Sequence, residues 1–146
     1  MAEAVLNETL LSYVHRRNMI TTQITQMQNS KTLASAQTRD LADWRTNRYK
    51  AVRNECKNIF TTTYVNNPQY TYHDYTEIPE YAEEIEYVDC YYESQVEEMT
   101  SWEAILQNQI TTLSTELQEI NSYMDSYKTM ISENIKNDYN YAEGIS

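Results

Sequence analysis

The sequence contains one glycine and two prolines in 146 residues. Compact folds with many tight turns need residues that tolerate a positive φ or preset a bend, and this chain has almost none of them. We therefore expect few turns and long, uninterrupted elements of secondary structure.

Chemically reactive groups are also scarce. The chain has two histidines and two cysteines and lacks Cys-x-x-Cys, His-x-x-x-His and Glu-x-x-His spacings, so a catalytic or metal site would need scattered residues. The only glycine, Gly144, cannot form a phosphate-binding loop, and no calcium-loop pattern of oxygen ligands occurs. We predict a chain that is not an enzyme, with no catalytic residues, metal, cofactor or small-molecule substrate.

Long apolar runs are missing as well. No stretch approaches the ~20 apolar residues that span a bilayer, and no apolar segment follows basic residues near the N-terminus. We expect no membrane span, and a location that is cytoplasmic or reached by export without a cleavable Sec-type signal. For Cys56 and Cys90, a disulfide between helices and two reduced thiols both remain open.

Basic residues are absent between Lys57 and Lys128. Residues 1–57 carry nine Lys or Arg and five Asp or Glu, whereas residues 58–146 carry two and seventeen. Taken alone, the basic stretch 45–57 would suit nucleic acid, but the pI near 4.5 and the carboxylates expected opposite it argue against that partner.

What the chain does have is a heptad repeat of apolar residues. Alternating steps of four and three meet apolar residues at nine of fourteen positions in the first half and fourteen of sixteen in the second. The first series is Leu6, Leu10, Tyr13, Arg17, Ile20, Ile24, Met27, Lys31, Ala34, Thr38, Leu41, Arg45, Arg48 and Val52. The second is Ile78, Ala82, Ile85, Asp89, Tyr92, Val96, Met99, Glu103, Leu106, Ile110, Leu113, Leu117, Ile120, Met124, Tyr127 and Ile131.

These series predict an all-α fold in which two long helices form an antiparallel coiled-coil hairpin. We expect one domain over residues 1–146, with helices at about 4–62 and 79–136, a connector at about 63–78 and a frayed tail at 137–146. The hairpin is expected to pack into a larger helical bundle or oligomer.

Opposite charges are expected to meet within this hairpin. Folding back about residue 71 places positions whose numbers add to about 142 opposite one another, which aligns the basic and acidic blocks. The residues predicted to pair are Arg39, Arg45, Arg48 and Arg53 on the first helix, and Asp89, Glu93, Glu97 and Glu103 on the second.

The other end of the hairpin is nearly uncharged. Residues 18–38 contain one charged residue and residues 104–124 contain two. Gln, Asn, Thr and Ser suit close packing against protein, so we expect this end to contact copies of the chain or partner helices. The predicted partner-binding residues are Ile20, Ile24, Met27, Trp102, Ile105, Ile110 and Tyr123.

Tyrosine is concentrated near the connector, with eight residues between positions 64 and 92. Tyrosine offers a large contact area with a polar tip, so these rings could form an exposed recognition surface or pack the connector onto the helix ends. The sequence leaves both alternatives open.

In length and paired terminal helices, the chain resembles the small helical-hairpin subunits of type III secretion and flagellar export systems, both export adaptors and filament subunits. A phage or other particle component has a similar helical build. The resemblance implies a non-enzymatic, self-assembling structural subunit. The alternative is a small adaptor or chaperone of an export apparatus that binds a client through the acidic, tyrosine-rich turn region.

Overall fold

The computed structural model describes residues 2–145, with side chains from residue 4 to residue 144. Helix α1 spans Ala2–Ile59 and helix α2 spans Pro79–Ile145, and no strand occurs between residues 2 and 145. A π-helical turn, Phe60–Tyr64, prolongs α1, and a 3-10 turn, Tyr75–Glu77, precedes α2. The predicted all-α helical hairpin is confirmed.

Helix α2 begins at the predicted residue but ends later than predicted. Pro79 suits a first helical turn because that position needs no backbone donor, and Glu80 adds a favourable negative charge there. The tail expected to fray after Lys136 instead continues the helix to Ile145. No proline follows Pro79 and the only glycine is Gly144, so nothing in this stretch stops the helix.

Both heptad series face inward. All fourteen positions of the α1 series and fifteen of the sixteen in the α2 series are buried or half-buried. The exception is Ala82, which is exposed, whereas Val88, six residues later and outside the predicted series, is fully buried. The first turns of α2 therefore rotate slightly relative to the predicted seam.

By its contacts the chain divides into two compact units. We call residues 31–104 the connector unit, and residues 1–30 together with residues 105–146 the terminal unit. The single domain expected over residues 1–146 stays a prediction, and Met1 and Ser146 lie outside the described residues.

In the terminal unit, the buried cluster joins one residue of α1 to two of α2: Ile20, Ile120 and Met124. Half-buried apolar side chains surround them, namely Leu10, Tyr13, Val14, Ile24, Leu113 and Leu117. Burying each large aliphatic side chain contributes about 1.5–3 kcal/mol, so this cluster joins the two helix segments of the unit.

In the connector unit, the buried cluster consists of Val52, Cys56, Ile78 and Val88. Aromatic rings dominate its surroundings. The half-buried side chains packed against it are Trp44, Tyr49, Ile59, Phe60, Tyr64, Tyr72, Tyr75, Tyr81 and Ile85. The connector thus folds over the ends of both helices and covers the core of this unit.

Candidate assembly surface

The terminal unit has a groove between α1 and α2 with a volume of about 610 Å³. No charged side chain lines it. Its lining consists of Gln23, Gln26, Met27 and Ser30 from α1 and Asn108, Gln109, Thr112 and Leu113 from α2. The groove therefore lies within the two stretches that the sequence analysis identified as nearly uncharged.

The same pattern of side chains forms each wall of the groove. On α1, Gln23 and Gln26 are exposed and Met27 is half-buried; on α2, Gln109 and Thr112 are exposed and Leu113 is half-buried. In both triplets the polar residues stand three apart and the apolar seam residue follows directly. Because the two helices run antiparallel, this repetition makes the two walls of the groove alike.

The polar groups of the groove retain hydrogen-bonding capacity. Thr112 donates its hydroxyl to the Asn108 carbonyl at 3.0 Å. By contrast, the side-chain amides of Gln23, Gln26 and Gln109 have no hydrogen-bond partner among residues 4–144. Each amide can both donate and accept, so a partner that offers the same group can pair with it.

The residues predicted to bind a partner fall into three groups. Ile20 and Ile110 are buried in the chain itself, at 4% and 8% exposure, because the two-helix seam already uses them. Ile24 and Met27 are half-buried, and only Met27 of the predicted set lines the groove. Trp102, Ile105 and Tyr123 are exposed by 47%, 48% and 51%.

Other large apolar side chains of the terminal unit are also exposed. Besides Ile105, the aliphatic and methionine side chains among them are Val5, Leu11, Met19, Met130 and Ile135. Tyr123 is exposed yet partnered, because its ring stacks on Tyr13 with a centroid separation of 5.7 Å. A two-helix unit can bury one stripe per helix, so residues beside that stripe stay in solvent.

The predicted charge pairs have different partners in the connector unit. Asp89 accepts a hydrogen bond from the Tyr49 hydroxyl, and Glu103 accepts one from Ser35 at 3.1 Å. Folding back about residue 71 predicted Arg53 and Arg39 as these two partners, four residues further along α1. The register therefore differs by about one helical turn, since the 3-10 turn and Pro79, not the midpoint of the connector, set the level at which α2 begins.

Two of the four arginines predicted to form charge pairs contact side chains of α2. Arg48 lies 3.9 Å from Glu84, and the Arg45 guanidinium carbon lies 4.0 Å from the centroid of the Tyr92 ring. Within the described residues, no ion pair is formed by the remaining members of the predicted set, all of them exposed: Arg39, Arg53, Glu93 and Glu97.

The tyrosines near the connector divide between packing and exposure. The Tyr64 ring stands edge-on to Tyr70 and Tyr72, and its hydroxyl donates to the Glu80 carboxylate at 2.6 Å. This hydrogen bond, together with burial, raises the pKa of Tyr64 to about 12. The Tyr87 side chain, by contrast, faces solvent, with an exposure of 63%.

A second groove lies in the connector unit, with a volume of about 350 Å³. Its walls are Gln37, Asp40, Leu41, Trp44, Tyr91, Gln95 and Met99. The Trp44 and Tyr91 rings are 4.8 Å apart between centroids. Trp44 was not among the predicted residues, although its position three heptads after Gln23 places both residues on the same flank of the α1 seam.

The two cysteines are not bridged. Cys56 is buried and Cys90 is exposed, and both are free thiols. Burial, followed by the nearby carboxylates of Glu55, Glu80 and Glu84, raises the pKa of the Cys56 thiol. This cysteine is a packing residue of the connector-unit core.

Fold and surface together define a two-helix coiled-coil hairpin protein. No protein-family model, curated protein or solved structure matches the chain. Across residues 2–145, neither long helix holds a stretch apolar enough to cross a bilayer. In the same part of the chain, His, Cys, Asp and Glu side chains form no group of three or more that could hold a metal ion.

Proposed function

We propose that this protein is a structural subunit that assembles with copies of itself through the groove of the terminal unit. The observation that supports this function is the charge-free lining of the groove on a chain with a net charge of −11. Such assemblies include the secretion-type filaments and particles that the helical build resembles.

Electrostatics favours this surface over the rest of the molecule. Two copies that each carry a net charge of −11 repel one another, and burying unpaired carboxylates in an interface is costly. A contact made through Gln, Ser, Thr, Asn, Met and Leu side chains buries no carboxylate and keeps the carboxylates of the two copies apart. At longer distances, salt screens the repulsion between the copies.

The groove is also suited to a second copy of itself. A two-fold axis parallel to the helices would set the α1 wall of one copy on the α2 wall of the other, and the two walls carry the same polar–polar–apolar triplet. Gln23 and Gln109 amides could then pair across the axis, with Met27 and Leu113 at the centre. The resulting contact is a four-helix bundle, the standard way for paired helices to cover their flanks.

Substituting Thr112→Glu tests this proposal. In a two-fold contact the change introduces two buried negative charges, so we expect the association constant to fall at least about tenfold. Molar mass against concentration, measured by light scattering or sedimentation equilibrium, gives the constant.

Thr111→Glu is the matched control, because Thr111 is also exposed and also donates to the carbonyl four residues earlier, but does not line the groove. Its association should match that of the native chain. Equal effects from the two substitutions would reject the groove as the contact, and a native chain that stays monomeric at high concentration would reject self-assembly.

The second candidate function is an adaptor or chaperone whose client binds the acidic, tyrosine-rich part of the connector unit. It is favoured by Tyr87 and Tyr91, which are exposed on an α2 face rich in glutamate. A small, constant mass at high concentration, together with client binding that is lost on changing Tyr87 and Tyr91 to alanine, would support the adaptor.

A further inference from the structure

The connector unit carries two stripes of opposite charge. On α1, Lys50, Arg53 and Lys57 are exposed and separated by three and four residues, so they share one face of the helix. On α2, the exposed glutamates with the equivalent spacing are Glu83, Glu86, Glu93 and Glu97. We call these sets the basic stripe and the acidic stripe.

The two stripes lie on the same side of the connector unit. Lys50 precedes the buried seam residue Val52 by two positions and Arg53 follows it by one. Glu86 likewise precedes the fully buried Val88 of α2 by two positions. In an antiparallel pair of helices, equivalent flanks meet on the same side of the pair, so the stripes run side by side.

Part of each stripe also lies at the same level. The hydrogen bonds Tyr49–Asp89 and Ser35–Glu103 join residues whose numbers add to 138. By this register, the Lys50–Arg53 segment stands opposite the segment around Glu83 and Glu86.

The chain leaves these charges without ion pairs. The salt bridges Arg16–Glu116 and Arg48–Glu84 use no member of either stripe. Lys57 has another contact, because its ammonium group lies 5.4 Å from the centroid of the Tyr75 ring. Both stripes therefore point outward with most of their capacity for charge pairing unused.

We infer that a second copy of this chain docks on this face, with the basic stripe of each copy on the acidic stripe of the other. A two-fold axis parallel to the helices produces this arrangement, since it exchanges left and right while keeping the level of each residue. A perpendicular axis lying in the contact plane would set like charges together, so the copies associate in parallel.

This inference rests on the proposed self-assembly and adds a second, charged contact to the groove of the terminal unit. Such a contact weakens as salt rises, whereas salt should favour the uncharged groove contact by screening the repulsion between two negative copies. A chain with two different self-contacts can extend beyond a dimer, as a subunit of a larger assembly must.

Complementary charge reversal tests the inference. One variant carries Lys50→Glu and Arg53→Glu, and the other carries Glu83→Lys and Glu86→Lys. Each variant alone should associate on the order of tenfold more weakly than the native chain at low salt, because like charges then meet across the contact. An equal mixture of the two should regain association at least as strong as native, since every reversed stripe finds its complement in the other variant.

The controls change net charge by the same amount away from both stripes. Lys128→Glu with Lys136→Glu matches the first variant, and Glu133→Lys with Asp138→Lys matches the second; all four residues are exposed. Circular dichroism checks that every variant keeps its helix content.

Two results would overturn the inference while leaving the groove proposal standing. One is association of the stripe variants equal to that of their net-charge controls. The other is a mixture that associates no more strongly than its separate components. Failure of the groove proposal is seen independently, in the Thr112→Glu and Thr111→Glu pair.

Discussion

In the connector unit, aromatic rings and the connector itself cover the buried cluster of Val52, Cys56, Ile78 and Val88. In the terminal unit, the cluster of Ile20, Ile120 and Met124 has mainly aliphatic neighbours and an open groove on one flank. The buried cluster of the connector unit is thus covered by the chain's own connector, whereas the cluster of the terminal unit has no such cover among the described residues.

The difference shows that the two units cover the apolar surface beside their helix pairs in different ways. A pair of helices buries one stripe from each, and any further apolar surface needs a third element. The connector unit obtains that element from its own turn, whose tyrosines and 3-10 segment pack onto the helix ends. The terminal unit has no such element among the described residues, and a second copy is the cover that we propose.

The largest expected effect tests which side of α2 the connector unit buries. Val88→Asp places a carboxylate in a fully buried position, so we expect a loss of more than about 3 kcal/mol in the free energy of unfolding. Ala82→Asp, at the exposed position that the heptad count placed in the seam, should cost less than about 0.5 kcal/mol. Urea unfolding followed by circular dichroism measures both, and a reversed order would contradict the packing described for this unit.

A smaller effect concerns how the stability of the connector unit depends on pH. The pKa of Tyr64 is raised to about 12, so the folded chain holds this proton more tightly than the unfolded chain does. The stabilisation is therefore complete below pH 10 and is lost as the pH rises towards 12. Glu80→Gln should bring the pKa of Tyr64 back towards 10, as seen by NMR of ring-labelled tyrosine.

Tyr64→Phe assigns the resonance in that titration, because it should remove the tyrosine signal that shifts at the highest pH. A Tyr64 signal that titrates near pH 10 in the native chain would show that the hydrogen bond to Glu80 is not formed in solution.

The smallest effect concerns the ion pair of the terminal unit. Arg16 and Glu116 are 2.7 Å apart, but their side chains are 59% and 37% exposed. A double-mutant cycle with Arg16→Ala and Glu116→Ala should give a coupling free energy of about 0.2–1 kcal/mol that falls as salt is added. A coupling that is large and independent of salt would mean that the pair is buried, for example by a second copy.

Much of the fold could be predicted from the sequence, because the apolar period of a coiled coil is local information. Every heptad position from Leu6 to Val52 proved buried or half-buried. The register could not be predicted to better than a turn, since the path of the connector decides which residue of α1 the start of α2 faces. Asp89 therefore meets Tyr49 in place of Arg53.

The candidate surface was predicted in outline and not in detail. The shortage of charge in residues 18–38 and 104–124 pointed to the stretch that contains the groove. Ile20 and Ile110, however, were assigned to a partner although the chain buries them itself. Hydrophobicity marks a residue for burial without specifying which neighbour covers it.

The sequence by itself determined the two long helices, their seam and the separation of charged from uncharged regions, because period, composition and the shortage of glycine and proline act through neighbouring residues. The tertiary structure alone decided the register, the burial of Val88 in preference to Ala82, and the closing of the connector over one core. These features depend on distances between residues far apart in the chain, which are fixed only when the helices meet.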